Sequence, residues 1–331
     1  MYAFQKRFTR IGRSNRSQQT SSCVPWIRSP GFFRPCILEA QSVKLKLWRV
    51  WRVWNLMSFS EHDLHKVGAA LAFAARTEIM PRFGKLTSIE IRQKSSPIDL
   101  VTDADEASEA VISAALVAAF PGCIIVGEEA TARDPTLLHN FSSAELAFIV
   151  DPIDGTKNFV SNLPLFGVMT AATVRGEVVA GVIYDPVCRD WAYALRGGGA
   201  WIEHEDGSRI ALRVAKPGPV STMEGIVPSG FLPAPLRSRV LVNSTKLAAS
   251  ANLRCAAHEY RMAAAGYCHL LLYSRLMPWD HAAGWLLHQE AGGYSAHFSG
   301  TAYHPTHLDG GLLCAPDEAS WNLLRAALLE S

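Results

Sequence analysis

The pattern of apolar and polar residues becomes regular at Ser60, where it predicts a helix. Ser60 has the side chain of an N-cap, with Asp63 three residues further on, and apolar residues recur at helical spacing through residues 64–75. Pro81 and Gly84 are expected to end this helix.

A second helix is predicted to begin near Asp103, with residues 103–106 as a capping box, and to stop at residues 121–122. The spacing of apolar residues predicts later helices over 259–272 and 281–291.

Short apolar runs at residues 124–126 and 147–150 are rich in β-branched residues and predict buried strands. Two hairpins are predicted, with strands at 168–174 and 177–184 and at 191–195 and 200–203. The predicted class is therefore mixed α/β (α+β) with a largely antiparallel sheet. Without a repeat or long linker after residue 57, we expect two closely packed halves, 58–204 and 205–331.

Residues 1–57 differ from the rest in charge. They hold eleven of the 32 Lys and Arg but one of the 30 Asp and Glu, a net charge of +10, which leaves the remainder at −8. The main interpretation is a disordered tail or an artefact of an upstream start, with the native start at Met57. The alternatives are a transit peptide and a membrane-surface helix over residues 43–57.

Composition excludes several classes for the rest of the chain. An acidic body does not favour nucleic-acid binding, which needs a basic face. The seven cysteines are scattered, which argues against a disulfide framework or zinc site and for the reducing cytoplasm. Because no apolar run approaches the roughly 20 residues of a membrane-spanning helix, no membrane partner is expected.

Acidic residues stand at predicted ends of secondary structure, where a fold holds side chains rigidly and still exposes them. These residues are Glu128 with Glu129, Asp151 with Asp154, Asp280, and Asp105. Carboxylates that converge on one pocket repel one another unless a hard cation lies between them. Magnesium is the natural candidate, because it takes oxygen ligands and keeps water and phosphate in its shell.

The spacing of Asp151 and Asp154 has a specific use. A proline between them stiffens the turn, so that Asp151 can bridge two ions, Asp154 can serve one, and the Ile153 carbonyl can turn inward. Gly155 permits a tight bend, and Thr156 begins a segment whose free N–H groups can receive phosphate oxygens.

Each element alone has an ordinary structural interpretation. An Asp-Pro or Asp-Gly pair is usually a turn, a Glu-Glu pair a solvated face, and a Trp-Asp pair a helix cap. Other candidates are weaker still: residues 197–199 lack the helix and Lys-Ser/Thr of a phosphate loop, His281 and His288 lack a third ligand, and residues 229–230 lack a nucleophile elbow. The joint occurrence of the acidic elements favours a site.

The acidic elements belong to blocks that, in this order, closely resemble the inositol monophosphatase family. The matching blocks are residues 95–105, 127–129, 151–159 and 279–284. The resemblance covers about residues 60–325 and implies a layered α-β-α-β-α sandwich, a magnesium-dependent phosphatase and a homodimer.

The resemblance also implies a ligand set for two to three Mg²⁺ ions. Glu128, Asp151 and the Ile153 carbonyl would hold the first ion, and Asp151, Asp154 and Asp280 the second. A third, weaker ion would use Glu128 and waters.

The resemblance further implies that a metal-activated water is the nucleophile. Thr156, hydrogen-bonded to Asp105, would orient that water and accept its proton, and Glu128 is the third catalytic residue that the resemblance implies. The N–H groups of Gly155 and Thr156 would bind phosphate. Lys94 matches a lysine on a mobile lid loop, with an ordinary exposed lysine as the alternative.

Departures from the family pattern concentrate on the substrate side. Tyr273 stands where inositol phosphatases carry a Glu that binds ring hydroxyls. Arg254 stands where a glycine usually opens the substrate-facing block, here residues 253–257 with Ala256. An arginine there can favour a second negative group on the substrate or turn to solvent. Lys157 stands where inositol phosphatases often have a threonine. A lysine at this position also occurs in relatives that cleave nucleotide bisphosphates or histidinol phosphate.

The leading hypothesis is therefore a magnesium-dependent phosphatase for inositol monophosphate or a similar small phosphorylated substrate. Its alternative keeps the chemistry on histidinol phosphate, a fructose phosphate or a 3′-phosphorylated nucleotide. A hypothesis of another class is a regulatory homologue that has lost turnover.

Overall fold

A computed structural model describes residues 59–87, 89–96 and 99–330, and every structural statement below concerns these residues. The tail, transit-peptide and membrane-helix interpretations of residues 1–57 lie outside them. Within the described residues, no helix is long and apolar enough to cross a membrane.

The described residues form nine α-helices, interspersed with the strands along the chain. They are α1 (Glu61–Ala74), α2 (Asp103–Ala119), α3 (Glu128–Arg133), α4 (Leu137–Asn140), α5 (Thr156–Val160), α6 (Ala234–Asn243), α7 (Ala256–Ala264), α8 (Pro278–Glu290) and α9 (Glu318–Arg325). Helices α1 and α9 continue into π-helical turns, Ala75–Ile79 and Ala326–Glu330.

The strands form three sheets. They are β1 (Ile91–Ser96), β2 (Asp99–Thr102), β3 (Ile124–Gly127), β4 (Ala147–Asp154), β5 (Gly167–Val174), β6 (Glu177–Asp185), β7 (Asp190–Leu195), β8 (Gly199–His204), β9 (Arg209–Ala211), β10 (Glu224–Ile226), β11 (Ala249–Ala251), β12 (Leu270–Tyr273), β13 (Tyr294–His297) and β14 (Leu312–Ala315).

The largest sheet has seven strands in sequence order from β3 to β9, and the five-stranded sheet has the order β11-β10-β12-β14-β13. Only the β3–β4 pair of the large sheet is parallel, which confirms the predicted antiparallel character and both hairpins. The division into halves 58–204 and 205–331 stays a prediction.

The sheets and helices alternate in layers. Helices α1 and α2 pack on one face of the large sheet, α7 and α8 lie between the two sheets, and α6 and α9 cover the outer face of the small sheet. This is the α-β-α-β-α sandwich that the family resemblance implies. Burial of both faces of the large sheet against helices explains why its strands are apolar on both sides.

Strand β4 shows how one run of residues serves two cores. Phe148 and Val150 pack toward α1 and α2, while Ala147 and Ile149 pack toward α7 and α8. Because side chains alternate along a strand, a buried central strand must be apolar at every position. The prediction ended this strand at Val150, but the structure extends it through Asp154, so the first acidic residues belong to the strand itself.

The capping prediction is confirmed for α1 and wrong for α2. The Ser60 hydroxyl accepts from the Asp63 amide, and Asp63 accepts from the Ser60 amide. In α2 the capping box runs from Thr102 to Asp105, not over residues 103–106, because the extended backbone of Thr102 makes it the N-cap.

The predicted helix over residues 259–272 is also wrong in extent. Helix α7 ends at Ala264, and Gly266 turns the chain with a φ of +78°, a left-handed conformation that favours glycine. Residues 270–273 then form β12, buried between neighbours in the small sheet. A short leucine run fits a buried strand as well as a helix, so periodicity alone did not separate them.

Candidate active site

Three aspartates from two elements meet at one end of the large sheet. Asp151 and Asp154 end β4, and Asp280 lies in the first turn of α8. One carboxylate oxygen from each residue lies within 4.8 Å of the others. The structure therefore brings together three of the residues predicted to bind metal.

A local irregularity of β4 aims these side chains. The pairing of β4 with β5 shifts register between Asp151 and Asp154, so the intervening residues leave the ladder. The amide of Ile153 donates to the Asp151 carboxylate at 3.1 Å, which fixes that side chain. Irregular pairing at a strand end re-aims side chains, as in bulges beside active sites.

Helix α7 holds Asp154 from the opposite side. The Asp154 carboxylate accepts from the amide of Ala257 at 2.5 Å and from the thiol of Cys255 at 3.0 Å. The first turn of a helix has unpaired amides that stabilise a negative charge. Ala256, predicted on the substrate side, begins this helix and lines the cleft.

The electrostatics of the aspartates favour a cation. Burial raises the pKa of Asp151, Asp154 and Asp280, and the charge of Glu128 raises the pKa of Asp151 and Asp280 further. Such a group of oxygen donors fits a hard divalent ion, which would offset the repulsion and favour the charged form of the carboxylates.

Glu128 adds a fourth carboxylate at the start of α3, where Lys94 of β1 reaches it. The Lys94 ammonium donates to Glu128 at 2.8 Å and to Glu129 at 2.6 Å. Burial opposes its charge, but the two carboxylates together raise the pKa of Lys94. Burial and the charge of Glu128 raise the pKa of Glu129 to about 8. The simple alternative of a solvent-exposed Lys94 is wrong, because its side chain is 17% exposed; its lid role stays a prediction.

Thr156 and Asp105 form the hydrogen bond expected from the resemblance. The Thr156 hydroxyl lies 3.1 Å from Asp105 Oδ1 and 3.0 Å from the Ile153 carbonyl oxygen. The other oxygen of Asp105 accepts from the amide and hydroxyl of Thr102 at 2.8 and 2.6 Å. Burial raises the pKa of Asp105 to about 7.

Gly155 makes the sharp change from β4 into α5. Its φ is +88°, and a Cβ atom there would lie 2.9 Å from the Leu165 carbonyl oxygen. No larger residue fits without a shift of that backbone. The first amides of α5 therefore follow directly on the acidic end of β4.

These residues line a cleft of about 360 Å³. Of the predicted site residues, the cleft is lined by Glu128, Asp151, Ile153, Asp154, Gly155, Thr156, Arg254, Ala256, Tyr273 and Asp280. Lys94 and Asp105 lie behind this lining and act on it through Glu128 and Thr156.

The sequence did not indicate that a buried acidic residue, Glu259, lines the cleft. Glu259 is buried, and its carboxylate accepts from the Tyr273 hydroxyl at 2.9 Å and the Leu253 amide at 3.0 Å. Burial raises the pKa of Glu259 to about 7, with the Tyr273 hydrogen bond opposing that rise. Its signal was an acidic residue on the alanine-rich, buried face of α7.

The candidates set aside from the sequence have structural roles. His281 bonds the Tyr260 hydroxyl and the Arg275 carbonyl, and His288 bonds Ser295. Burial lowers the pKa of both histidines to about 4. Residues 197–199 form a hairpin turn whose amides donate to Glu290.

The model of the inositol monophosphatase family matches residues 60–331. The chain is 32% identical to an inositol-1-monophosphatase of Mesorhizobium japonicum, over 78% of this chain and 92% of that protein. It is 30% identical to the Nus factor SuhB of Escherichia coli, over 72% of this chain and 86% of that protein.

Solved structures agree with the fold. The extragenic suppressor protein suhB of Bartonella henselae matches with a TM-score of 0.70 and 26% identity, over 81% of this chain and 98% of that one. The IMPase of Thermotoga maritima matches with a TM-score of 0.66 and 24% identity, over 80% and 97%. The layered fold with its acidic cleft is of the inositol monophosphatase type. The chain belongs to the inositol monophosphatase family.

Proposed function

We propose that this chain is a magnesium-dependent phosphomonoesterase that hydrolyses inositol monophosphate or a related small phosphate ester. The observation that carries the proposal is the group of Asp151, Asp154 and Asp280 within 4.8 Å of one another. The hydrogen bond from Thr156 to Asp105 lies beside that group and supplies a route for a proton. Histidinol phosphate, a fructose phosphate or a 3′-phosphorylated nucleotide is the alternative substrate.

The donor set supports two to three Mg²⁺ ions. Glu128, Asp151 and the Ile153 carbonyl would hold one, and Asp151, Asp154 and Asp280 another, with Glu128 contributing to a weaker third. When bound, magnesium neutralises the phosphate and lowers the pKa of a coordinated water. The raised pKa values of the aspartates support the fit, because bringing in a cation relieves their mutual repulsion.

Thr156 and Asp105 are proposed to move the proton. The Thr156 oxygen takes a proton from the attacking water as its own proton passes to Asp105 Oδ1, so that Thr156 stays neutral and Asp105 becomes protonated. A general base works best when its pKa lies near the working pH, and the pKa of Asp105 is about 7. The hydrogen bonds from Thr102 keep the receiving carboxylate in place.

The start of α5 is proposed to bind the phosphate. The amides of Gly155 and Thr156 are the first of that helix and have no partner within it. Lys157 lines the same cleft and adds a positive charge. The released products are inorganic phosphate and the alcohol.

A second candidate function is a regulatory protein without turnover. It is favoured by the relatives named Nus factor SuhB, which are 30% identical to this chain. The complete set of acidic residues in the cleft favours the enzyme. Cytoplasmic location and a homodimer are further proposals, and light scattering on the purified chain would test the dimer.

The test is phosphate release from a panel of esters with magnesium or with EDTA. The panel contains inositol 1-phosphate, histidinol phosphate, fructose 1,6-bisphosphate and 3′-phosphoadenosine 5′-phosphate. We expect release only with magnesium, and a loss of at least about 100-fold in Asp151→Asn because one metal ligand loses its charge. The control is Asp206→Asn, an exposed turn aspartate that bonds the Ser208 amide.

Two outcomes contradict the proposal. No release from any ester with magnesium favours the regulatory protein. An Asp151→Asn variant with the parent's activity refutes the catalytic site. If inositol 1-phosphate is not preferred, the alternative substrates take its place.

A further inference from the structure

Three basic residues, Lys157, Arg254 and Arg275, line the cleft. Resting on the proposed function, we infer that Arg254 binds a second anionic group of the substrate. The substrate class is then a phosphate monoester that also carries a carboxylate or a second phosphate.

The backbone of Arg254 is the first observation. Its φ is +56°, in the left-handed region where a side chain is strained and glycine is favoured. The other arginines with positive φ, Arg175 and Arg189, form ion pairs with Glu145 and Glu205. In the described part of the chain, the Arg254 guanidinium has no hydrogen bond or ion pair. A strained residue without a partner in the fold indicates a role toward a ligand.

The position of Arg254 is the second observation. It lines the cleft and is exposed, and it directly precedes Cys255, whose thiol contacts Asp154. The arginine therefore stands beside Asp154 and the other aspartates of the cleft, where the phosphate is proposed to bind. A substrate phosphate and a neighbouring anion would both lie within reach of this segment.

Two more cations line the same cleft. Lys157 is the second residue of α5, and Arg275 follows β12 with its guanidinium 5.7 Å from the centre of the Phe231 ring. The cleft thus combines largely buried aspartates with half-buried or exposed basic side chains. Arginine recognises carboxylate and phosphate with two parallel hydrogen bonds, which suits it to a second anion.

Outside the aspartate group, the cleft has few acidic groups that could accept from the hydroxyls of a neutral polyol. Among the described residues that line the cleft, Glu259 is the carboxylate outside the group of Glu128 and the three aspartates. Its oxygens already accept hydrogen bonds from the Tyr273 hydroxyl and the Leu253 amide. A ring hydroxyl therefore meets an acceptor that is already partly occupied, whereas an anion meets a guanidinium.

The test compares esters that differ in one anionic group. The pairs are 3-phosphoglycerate with glycerol 3-phosphate, for a carboxylate, and fructose 1,6-bisphosphate with fructose 6-phosphate, for a phosphate. Each ester is measured as a competitor of p-nitrophenyl phosphate hydrolysis with magnesium, so the result does not depend on its own turnover. We expect the ester with the second anion to have an inhibition constant about tenfold lower in at least one pair.

The decisive variant is Arg254→Gly, which removes the charge and also the strain of the positive φ, so folding is not at risk. We expect the ratio of inhibition constants to fall to about two or less, and Arg254→Lys to keep part of it. The matched control is Arg189→Gly, which removes another left-handed arginine outside this cleft and should keep the parent's ratio.

The outcomes separate this inference from the proposed function. If p-nitrophenyl phosphate is hydrolysed but the parent's ratio is below about two in both pairs, the inference is wrong and the phosphatase stands. The same holds if Arg254→Gly keeps the parent's ratio. If no ester is hydrolysed with magnesium, both are wrong.

Discussion

The Thr156 hydroxyl lies 3.1 Å from a carboxylate oxygen of Asp105, a residue 51 positions earlier in the chain. Asp105 is also the N3 residue of the capping box of α2 and accepts from Thr102 through its other oxygen. One carboxylate thus closes the start of a helix and holds the hydroxyl beside the aspartate group. The orientation of Thr156 depends on the stability of that helix start.

Two substitutions of Thr156 distinguish the role of its hydroxyl from the packing of its side chain. We expect Thr156→Val to lower kcat by about 100- to 1000-fold with little change in KM, because a proton route is lost while the side-chain volume is kept. Thr156→Ser keeps the hydroxyl and should stay within about tenfold of the parent. Steady-state kinetics measures both, and thermal unfolding checks the fold. Parent-like kcat in Thr156→Val would remove Thr156 from the mechanism.

Gly155 offers a test of backbone geometry with a matched control. Gly155→Ala has both a left-handed φ and a Cβ atom 2.9 Å from the Leu165 carbonyl, whereas Gly122 has a φ of +87° and open space around it. We expect Gly122→Ala to cost about 1 kcal/mol of unfolding free energy and Gly155→Ala about 2–4 kcal/mol. Urea unfolding measures both. Equal costs would show that the Leu165 backbone yields without penalty.

The metal side of the site could be predicted because its signals are local. Asp151 and Asp154 lie within one short segment, and strand ends are places where a fold exposes rigid side chains. The pairing of Thr156 with Asp105 was implied by the family resemblance, and spacing alone did not indicate it. The capping box of α2 was misplaced by one residue, because Thr102 and Asp103 are both good N-caps and only the backbone decides.

The substrate side could not be predicted because its contacts are long-range. Glu259 meets Tyr273 only because α7 stops at Ala264 and the chain returns as β12. A helix continued to residue 272 would have left Tyr273 just beyond its end, about 20 Å along the axis from Glu259. Tertiary packing decided between helix and strand for the leucine run, as is usual for short apolar segments.

Lys94 is predicted to stabilise the metal-free protein. Lys94→Met leaves Glu128 and Glu129 without their cation, and we expect a loss of about 1–3 kcal/mol in EDTA at pH 8.5. The pKa of Glu129 is about 8, so its carboxylate is charged at that pH and the loss should be smaller at pH 6. The double variant Lys94→Met with Glu129→Gln should recover much of the loss. Urea unfolding measures each, and no recovery would mean that packing, not charge, explains the effect.

The raised pKa of Glu259 predicts how the stability of the fold depends on pH. Its pKa is raised from 4.5 to about 7 by burial, so between these values the folded protein binds more protons than the unfolded chain. The free energy of unfolding of the parent, relative to Glu259→Gln, should therefore fall by a few kcal/mol as the pH rises from about 4.5 to about 7, and then level off.

The measurement is urea unfolding in EDTA at several pH values, with the exposed Glu224→Gln as control for the loss of a surface carboxylate. Tyr273→Phe adds a second check, because the Tyr273 hydrogen bond lowers the pKa of Glu259. Without that hydroxyl, the pKa of Glu259 rises further and the fall in stability extends to higher pH. A parent whose stability relative to Glu259→Gln is constant from pH 4.5 to 8 would show that Glu259 stays ionised in the fold. It would then be a charged acceptor held by its hydrogen bonds rather than a group that burial keeps protonated at acidic pH.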